Sequence, residues 1–405
     1  MKKLTLLVAA LGLSLGLAAQ QKNDYGFYHY QDAKNPHIAR HIMRHEPLRR
    51  EIIIPQVNGY NVYKSDLHTH TIYSDGSVTP EYRIREAWLD GLDVIACTEH
   101  IEYRRIEPKM LKFLKGYTND KVVKAENYDV IRNEATASGI KVDLNYPISE
   151  AVKESKKYGV LVIPGAEITR EPVKIGHFNA LFTTDNNALY DPDPLQSLRN
   201  ARKQGALIQH NHPGWRRTSC AKTEFEIQAY NEGLIDGIEV ANGGSLYLPI
   251  IDRAREEKLF VAANTDIHTT TAEYYRIKGE LRNMTLILAK ECTLESIREA
   301  LEAKRTLALT GGYVCGDEQL LKDLFLASIK YDVIRTDKKG TRTVNVTNMY
   351  SIPLTFKTSK NANPIKLLPY HSVQLSVAKD KALNLTVTNM LCGDMVHPKV
   401  KIEVE

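Results

Sequence analysis

Cysteine is scarce and unpatterned. Five occur in 405 residues (Cys97, Cys220, Cys292, Cys315 and Cys392), and no two form a Cys-x-x-Cys pair. A disulfide-built scaffold and a thiolate zinc site are both disfavoured by that pattern; one incidental bridge in an oxidising compartment is the most it suggests. Basic tracts are missing too. Lys plus Arg is 54 against 49 Asp plus Glu, a net charge of +5. Charge therefore indicates no nucleic-acid polymer as partner and leaves open a small anionic substrate met by a few local cations. No glycine-rich loop of nucleotide-binding spacing is present. Ser74, Ser219 and Cys220 have no uncommitted base beside them in sequence to make them nucleophiles.

A second long apolar run is also lacking. The one that exists, Leu4 to Leu17, lies between Lys2-Lys3 and the small residues Ala18 and Ala19. It is short for a membrane span of ~20 residues and has the layout of a cleaved secretory signal. Residues 1–20 are expected to be removed and the protein to be periplasmic or secreted, with no stable membrane insertion. Oligomeric state is not legible.

What is there is a patterned α/β chain, 43% apolar and 25% charged. Residues 21–60 read as an irregular arm, in which His37, His41 and His45 could share one helical face. From residue 61 to 316, strand-like runs alternate with amphipathic segments. Strands are expected at 93–98, 160–164, 178–183, 206–209, 237–240 and 260–263. Helices are expected at 80–89, 149–158, 194–204, 222–231 and 248–258, and the polar, Lys-rich residues 103–143 are expected to be an insertion or mixed helices. Repeated βα units imply a parallel sheet with outer helices, closing into a barrel. Residues 317–405 change character: short alternating strands separated by turns, with no helical period, predict a small antiparallel β-sandwich.

Histidine and carboxylate collect at the strand ends. Asp66-Leu67-His68-Thr69-His70 closes the first strand, and its two histidines at i, i+2 point to one face. Asp75 follows in Ser74-Asp75-Gly76. Thr98-Glu99-His100, Pro164-Gly165-Ala166-Glu167, Asn211-His212-Pro213 and Thr265-Asp266-Ile267-His268 each end a strand, whereas Gly176-His177 opens one. The C-terminal ends of parallel barrel strands converge on one rim. For His177 to join them, its strand must run the other way. Nine metal-type ligands on one rim exceed the roughly four a zinc ion takes, which makes a multinuclear centre the expectation.

This ordered set of motifs, covering about residues 60–315, resembles the polymerase and histidinol phosphatase (PHP) superfamily of metal-dependent phosphoesterases. The resemblance implies a distorted (β/α)7 barrel carrying up to three divalent ions (Mn, Zn or Fe). His68, His70, Glu167 and Asp266 would hold the first, Glu167 would bridge to a second with His177 and His212, and Asp75, His100 and His268 would hold the third. Glu99 stands where many relatives have Asp, which puts a supporting hydrogen bond in question. The implied reaction is hydrolysis of a small organic phosphate mono- or diester by a metal-bridging hydroxide, with Glu167, His212 and Arg216 central to catalysis. Arg170, Trp215, Arg216 and Arg217 fall on rim loops and are expected to meet the substrate. The alternatives are hydrolysis at carbon, as in amidohydrolases, although no strand-end lysine is present for carboxylation, and a non-catalytic metal- or glycan-binding protein.

Overall fold

The computed structural model describes the backbone of residues 21–22, 28–32, 35–42, 48–102, 143–170, 175–276, 281–358 and 363–404. Two compact units are present, Met1–Leu48 and Arg49–Glu405. In the first, the described residues are not irregular: Gln21–Lys22, Tyr28–Asp32 and Asn35–Ile42 pair as an antiparallel sheet. His37 and His41 lie in its third strand rather than on a helical face, and His45 lies outside the described residues. Proline at position 36 and β-branched Ile38 and Ile42 suit a strand better than a helix interior.

In the second unit, helix starts follow local chemistry. Thr79 caps Pro80–Leu89 by accepting from the Tyr82 amide at 3.3 Å, with proline in the first turn. Thr223 and Glu226 form a reciprocal capping box on Glu224–Asn231. Asp193 caps Pro194–Lys203 by accepting from the Leu195 amide, and Thr293 caps Leu294–Glu302 by accepting from the Ser296 amide. The helix expected at 149–158 lies at Tyr146–Ser155, and 103–142 of the expected insertion lie outside the described residues.

The strands build one curled, mixed twelve-stranded sheet. Its path runs Ser245–Leu246, Gly237–Asn242, Leu207–His210, Gly176–Leu181, Leu161–Arg170, Val94–Cys97, Asn61–Asp66, Met284–Ala289, Thr306–Thr310, Tyr313–Gly316, Met390–Leu391, with Phe260–Asn264 branching from Gly237–Asn242. The expected βα units are parallel in two runs, Asn61–Asp66 to Leu161–Arg170 and Leu207–His210 to Phe260–Asn264. Between them Gly176–Leu181 is antiparallel to both neighbours. Only five residues join it to Leu161–Arg170, too few for the crossover that a parallel pair demands. Strands such as Val94–Cys97 and Met284–Ala289 are buried at every position, as expected of a sheet covered on both faces.

Side chains finish the curl where regular pairing stops. Asp66 accepts from the Thr265 amide at 3.2 Å, and Asn264 accepts from the Leu67 amide at 2.9 Å. Thr69 and Ile267 form an isolated parallel bridge. These contacts bring the ends of Asn61–Asp66 and Phe260–Asn264 together on one rim.

The C-terminal region contains two sheets, as its alternating pattern predicts. One is Ile329–Thr336, Arg342–Asn348 and Ser372–Val377; the other is Ile365–Leu367, Leu354–Thr358, Leu383–Val387 and Lys399–Ile402. A helix, Glu318–Ser328, precedes them, contrary to the expectation of no helical segment. Its Leu321, Leu324 and Phe325 are buried in a core that also contains Leu307 and Leu309 of the curled sheet and Phe356 and Leu385 of the sandwich. Met390–Leu391 returns to pair with Val314 and Cys315. Among the described residues no helix is long and apolar enough to cross a membrane. All five cysteines are free thiols.

Candidate metal centre

The curl carries all nine expected ligands to one place. His68 and His70 follow Asn61–Asp66, His100 follows Val94–Cys97, His212 follows Leu207–His210, and Asp266 and His268 follow Phe260–Asn264. Glu167 lies inside Leu161–Arg170, and the reversal of Gly176–Leu181 delivers His177 to the same rim. His212 and Asp266 adopt positive φ, +26° and +53°. Neither is glycine, and backbone strain of this kind collects at functional sites.

Glu167 is the centre of the arrangement. Its Oε1 lies 3.3 Å from His68 Nε2, 3.4 Å from His177 Nδ1 and 3.7 Å from His212 Nε2. Its Oε2 lies 2.8 Å from His100 Nδ1 and 3.5 Å from His70 Nε2. Asp266 Oδ1 stands 3.2 Å from His68 Nε2 and 3.0 Å from His70 Nε2. Asp75 Oδ1 stands 3.0 Å from His268 Nε2 and 3.3 Å from His100 Nε2. Among the described residues, three groups have ligand atoms close enough for a shared ion: His68, Glu167 and His212; His68, His70 and Asp266; and His70, Asp75, His100 and His268.

The donor set fits divalent cations. His68 Nε2, His70 Nε2 and His177 Nε2 are buried with no hydrogen-bond partner, a costly state that ligation would relieve. Imidazole and carboxylate suit Zn, Mn or Fe rather than a soft ion. The electrostatics point the same way. Burial works against the charged forms of Asp75 and Glu167, yet both carboxyls are held far below their usual range, Asp75 by His100 and His268, Glu167 by His68 and His100. Burial, then the neighbouring His100 and His268, lowers His70 to about 4, so that it stays a neutral donor at neutral pH.

The flanking motif residues are struts. Asp66 accepts from the His68 amide at 3.2 Å and pairs with Arg282. Thr98 Oγ1 accepts from the Thr69 amide at 2.9 Å, and Asn211 donates to Glu167 Oε1 at 2.9 Å. A Cβ on Gly76 would meet the His70 backbone at 2.8 Å, so the tight turn presenting Asp75 needs glycine. Glu99 accepts from the Thr71 amide at 3.1 Å and from the Thr71 and Ser74 hydroxyls. The longer acid at this position therefore does make supporting bonds.

The expected substrate residues separate. Trp215 packs against His177 and His212, with ring centroids at 5.3 and 5.4 Å, and the Arg216 guanidinium lies 4.3 Å above it. Arg216 is exposed. Arg217 instead binds Glu226 at 2.6 Å and the Pro213 carbonyl at 3.3 Å, so it secures the loop as well as lining a small cleft with Gly176, His177, Asn211, His212 and Trp215. The Arg170 side chain lies outside the described residues. Sequence reasoning missed Glu239, a carboxylate within the apolar run Gly237-Ile238-Glu239-Val240, and the buried Arg83, which donates to the carbonyls of His70, Ile267 and Thr269. A charge inside an apolar strand was the available signal for Glu239.

Residues 66–306 match the PHP domain model. The chain belongs to the PHP family. A two-domain protein from Bacteroides vulgatus containing a predicted PHP-like metal-dependent phosphoesterase is 31% identical, with a TM-score of 0.75 over 88% of this chain and 99% of that one. As a PHP-family protein the chain is a metal-binding hydrolase of the phosphoesterase type, and its α/β fold is PHP-like, with additional antiparallel sheets at the C-terminus. Endonuclease Q in complex with a 27-mer duplex bearing an abasic lesion is 15% identical (TM-score 0.39, covering 64% of this chain and 60% of that one). Endonuclease Q from Pyrococcus furiosus is 16% identical (TM-score 0.34, covering 64% and 59%). No curated protein matches.

One expectation is corrected. A small phosphorylated substrate was expected and no nucleic-acid polymer indicated, the latter from a net charge of +5, and that balance does not decide the substrate. Net charge sums the whole surface, whereas a polyanion meets only the field of the cleft it enters.

Proposed function

We propose that the protein hydrolyses a phosphate ester at a centre of three divalent ions, with Glu167 bridging two of them. The single observation that carries this is the placement of Glu167: a buried carboxylate whose two oxygens face different histidine groups, His68, His177 and His212 on one side and His70 and His100 on the other. Ions held by these groups would lower the pKa of water and offset charge developing on phosphoryl oxygens. The chain's own part is positional. Buried imidazoles and carboxylates set the donor geometry, Trp215 walls the cleft beside His177 and His212, and exposed Arg216 is the cation at the mouth for a phosphate oxygen. His70 and His212 serve as ligands and are assigned no proton transfer.

The test is chelation and reloading with Mn, Zn or Fe, followed by p-nitrophenyl phosphate, bis-p-nitrophenyl phosphate and a duplex carrying an abasic site. Metal-dependent cleavage of a phosphate ester is expected. A fully loaded protein that cleaves none of the three, yet opens amides or lactones, would overturn the reading. We infer also that the chain is exported, from the arrangement of Lys2-Lys3, the apolar run and Ala18-Ala19. Sequencing the N-terminus of protein recovered from cell fractions tests this; Met1 retained in the cytosol is the contrary result.

A further inference from the structure

Glu239 sits inside the strand Gly237–Asn242 with no exposed surface. Five donors converge on its two oxygens. Oε1 faces His68 Nδ1 at 2.9 Å, Asn264 Nδ2 at 2.9 Å and Gln209 Nε2 at 3.4 Å. Oε2 accepts from the His212 backbone amide at 2.8 Å and from Asn242 Nδ2 at 2.8 Å. Only an acceptor-only group satisfies five donors at once, and oxygens so engaged are not offered as ligands.

The donors come from four separate segments of the rim. Two belong to expected ligands: the ring of His68 and the backbone of His212, whose φ is +26°. A carboxylate on one ring nitrogen of a ligating histidine sets the tautomer and turns the other nitrogen to the ion. Here that other nitrogen is His68 Nε2, buried without a hydrogen-bond partner and facing Glu167 and Asp266.

We propose that Glu239 is the positioning residue of the metal centre: it keeps the His68 proton on Nδ1, so that Nε2 faces the metal, and pins the strained His212 backbone beside it. The inference rests on the proposed metal centre. It distinguishes Glu239 from the other buried carboxylates of the rim, because it acts on two ligands through donors alone.

The experiment measures metal binding, not turnover. Zinc is titrated calorimetrically into chelator-stripped wild type and Glu239→Gln, and both metal-free proteins are melted. Glu239→Gln is expected to lose 10–100-fold in affinity at the tightest site. Unchanged affinity in a folded variant overturns the proposal, as does a loss of affinity no larger than the fraction of chain unfolded. Glutamine turns an N–H toward other donors, so the variant risks failing to fold. A second measurement therefore uses the wild type: a long-range proton–nitrogen spectrum of the zinc-loaded protein. A slowly exchanging proton on His68 Nδ1, with Nε2 shifted by zinc, is expected. Zinc on Nδ1 overturns the proposal, whereas failure of wild type to bind zinc, manganese or iron at all would overturn the metal centre itself.

Discussion

His100 Nδ1 lies 2.8 Å from Glu167 Oε2, and the same two residues form an isolated parallel backbone bridge three residues beyond the regular ladder, in the same register. The Glu167 amide donates to the Glu99 carbonyl at 2.9 Å and the Ile101 amide to the Glu167 carbonyl at 3.0 Å. The bond network that ends the sheet thus places an imidazole of one ion group against the carboxylate that faces another.

Removing the charge of Glu167 is expected to do more damage than removing that of Asp75. Glu167→Gln should lower bound metal and cut phosphoesterase rate by orders of magnitude, because both oxygens face histidine groups. Asp75→Asn touches only the group with His70, His100 and His268, and should leave part of the metal and some rate. Elemental analysis and rates of the two variants decide it.

Arg216 and Arg217 are expected to differ although they are adjacent. Arg216→Ala removes an exposed guanidinium and should raise KM several-fold with metal content unchanged. Arg217→Ala leaves Glu226 buried without its cation, which typically costs several kcal/mol, about 3–5 for a broken buried pair, so its main effect should be a lower melting temperature. Steady-state kinetics and melting of both variants separate the two roles.

Glu226 should make stability fall in acid. Burial raises its pKa, but bonds from His210 and Arg217 outweigh this and bring it down to about 2. A carboxyl depressed when folded contributes stability above its unfolded value of ~4.5 and loses it as pH falls toward the folded value. Chemical unfolding between pH 5 and about 2 should therefore be steeper in wild type than in Glu226→Gln. Parallel curves would show that Glu226 carries no such linkage.

The C-terminal sheets are expected to unfold together with the PHP barrel. Phe325 and Phe356 meet edge to face at 6.1 Å within the core shared with Leu307 and Leu309. Phe356→Ala should cost about 3–5 kcal/mol and shift a single transition rather than split it. A chain ending at Asp317 loses both that core and the strand Met390–Leu391, and should be insoluble. Calorimetry of Phe356→Ala showing two resolved transitions would contradict the shared core.

The order of the expected ligands, and the strands that end in them, are legible in the residue pattern alone. His68, His70, His100, Glu167, His212, Asp266 and His268 are legible because each stands in or at the end of an apolar run, and period-two and period-3.6 patterns report local structure. The C-terminal strands were legible for the same reason. The helix Glu318–Ser328 was not, because its apolar face packs on both the curled sheet and the sandwich, and no local rule tells a short apolar run which partner it will find. The antiparallel turn of Gly176–Leu181 was only a requirement deduced from His177, since strand direction depends on what a five-residue connection can span. Glu239 and Arg83 belong wholly to the tertiary structure. Their roles consist of donors and acceptors drawn from segments far apart in the chain, such as His68 on Glu239 and Ile267 on Arg83, and a buried charge is stable only where folding has brought every one of its partners to it.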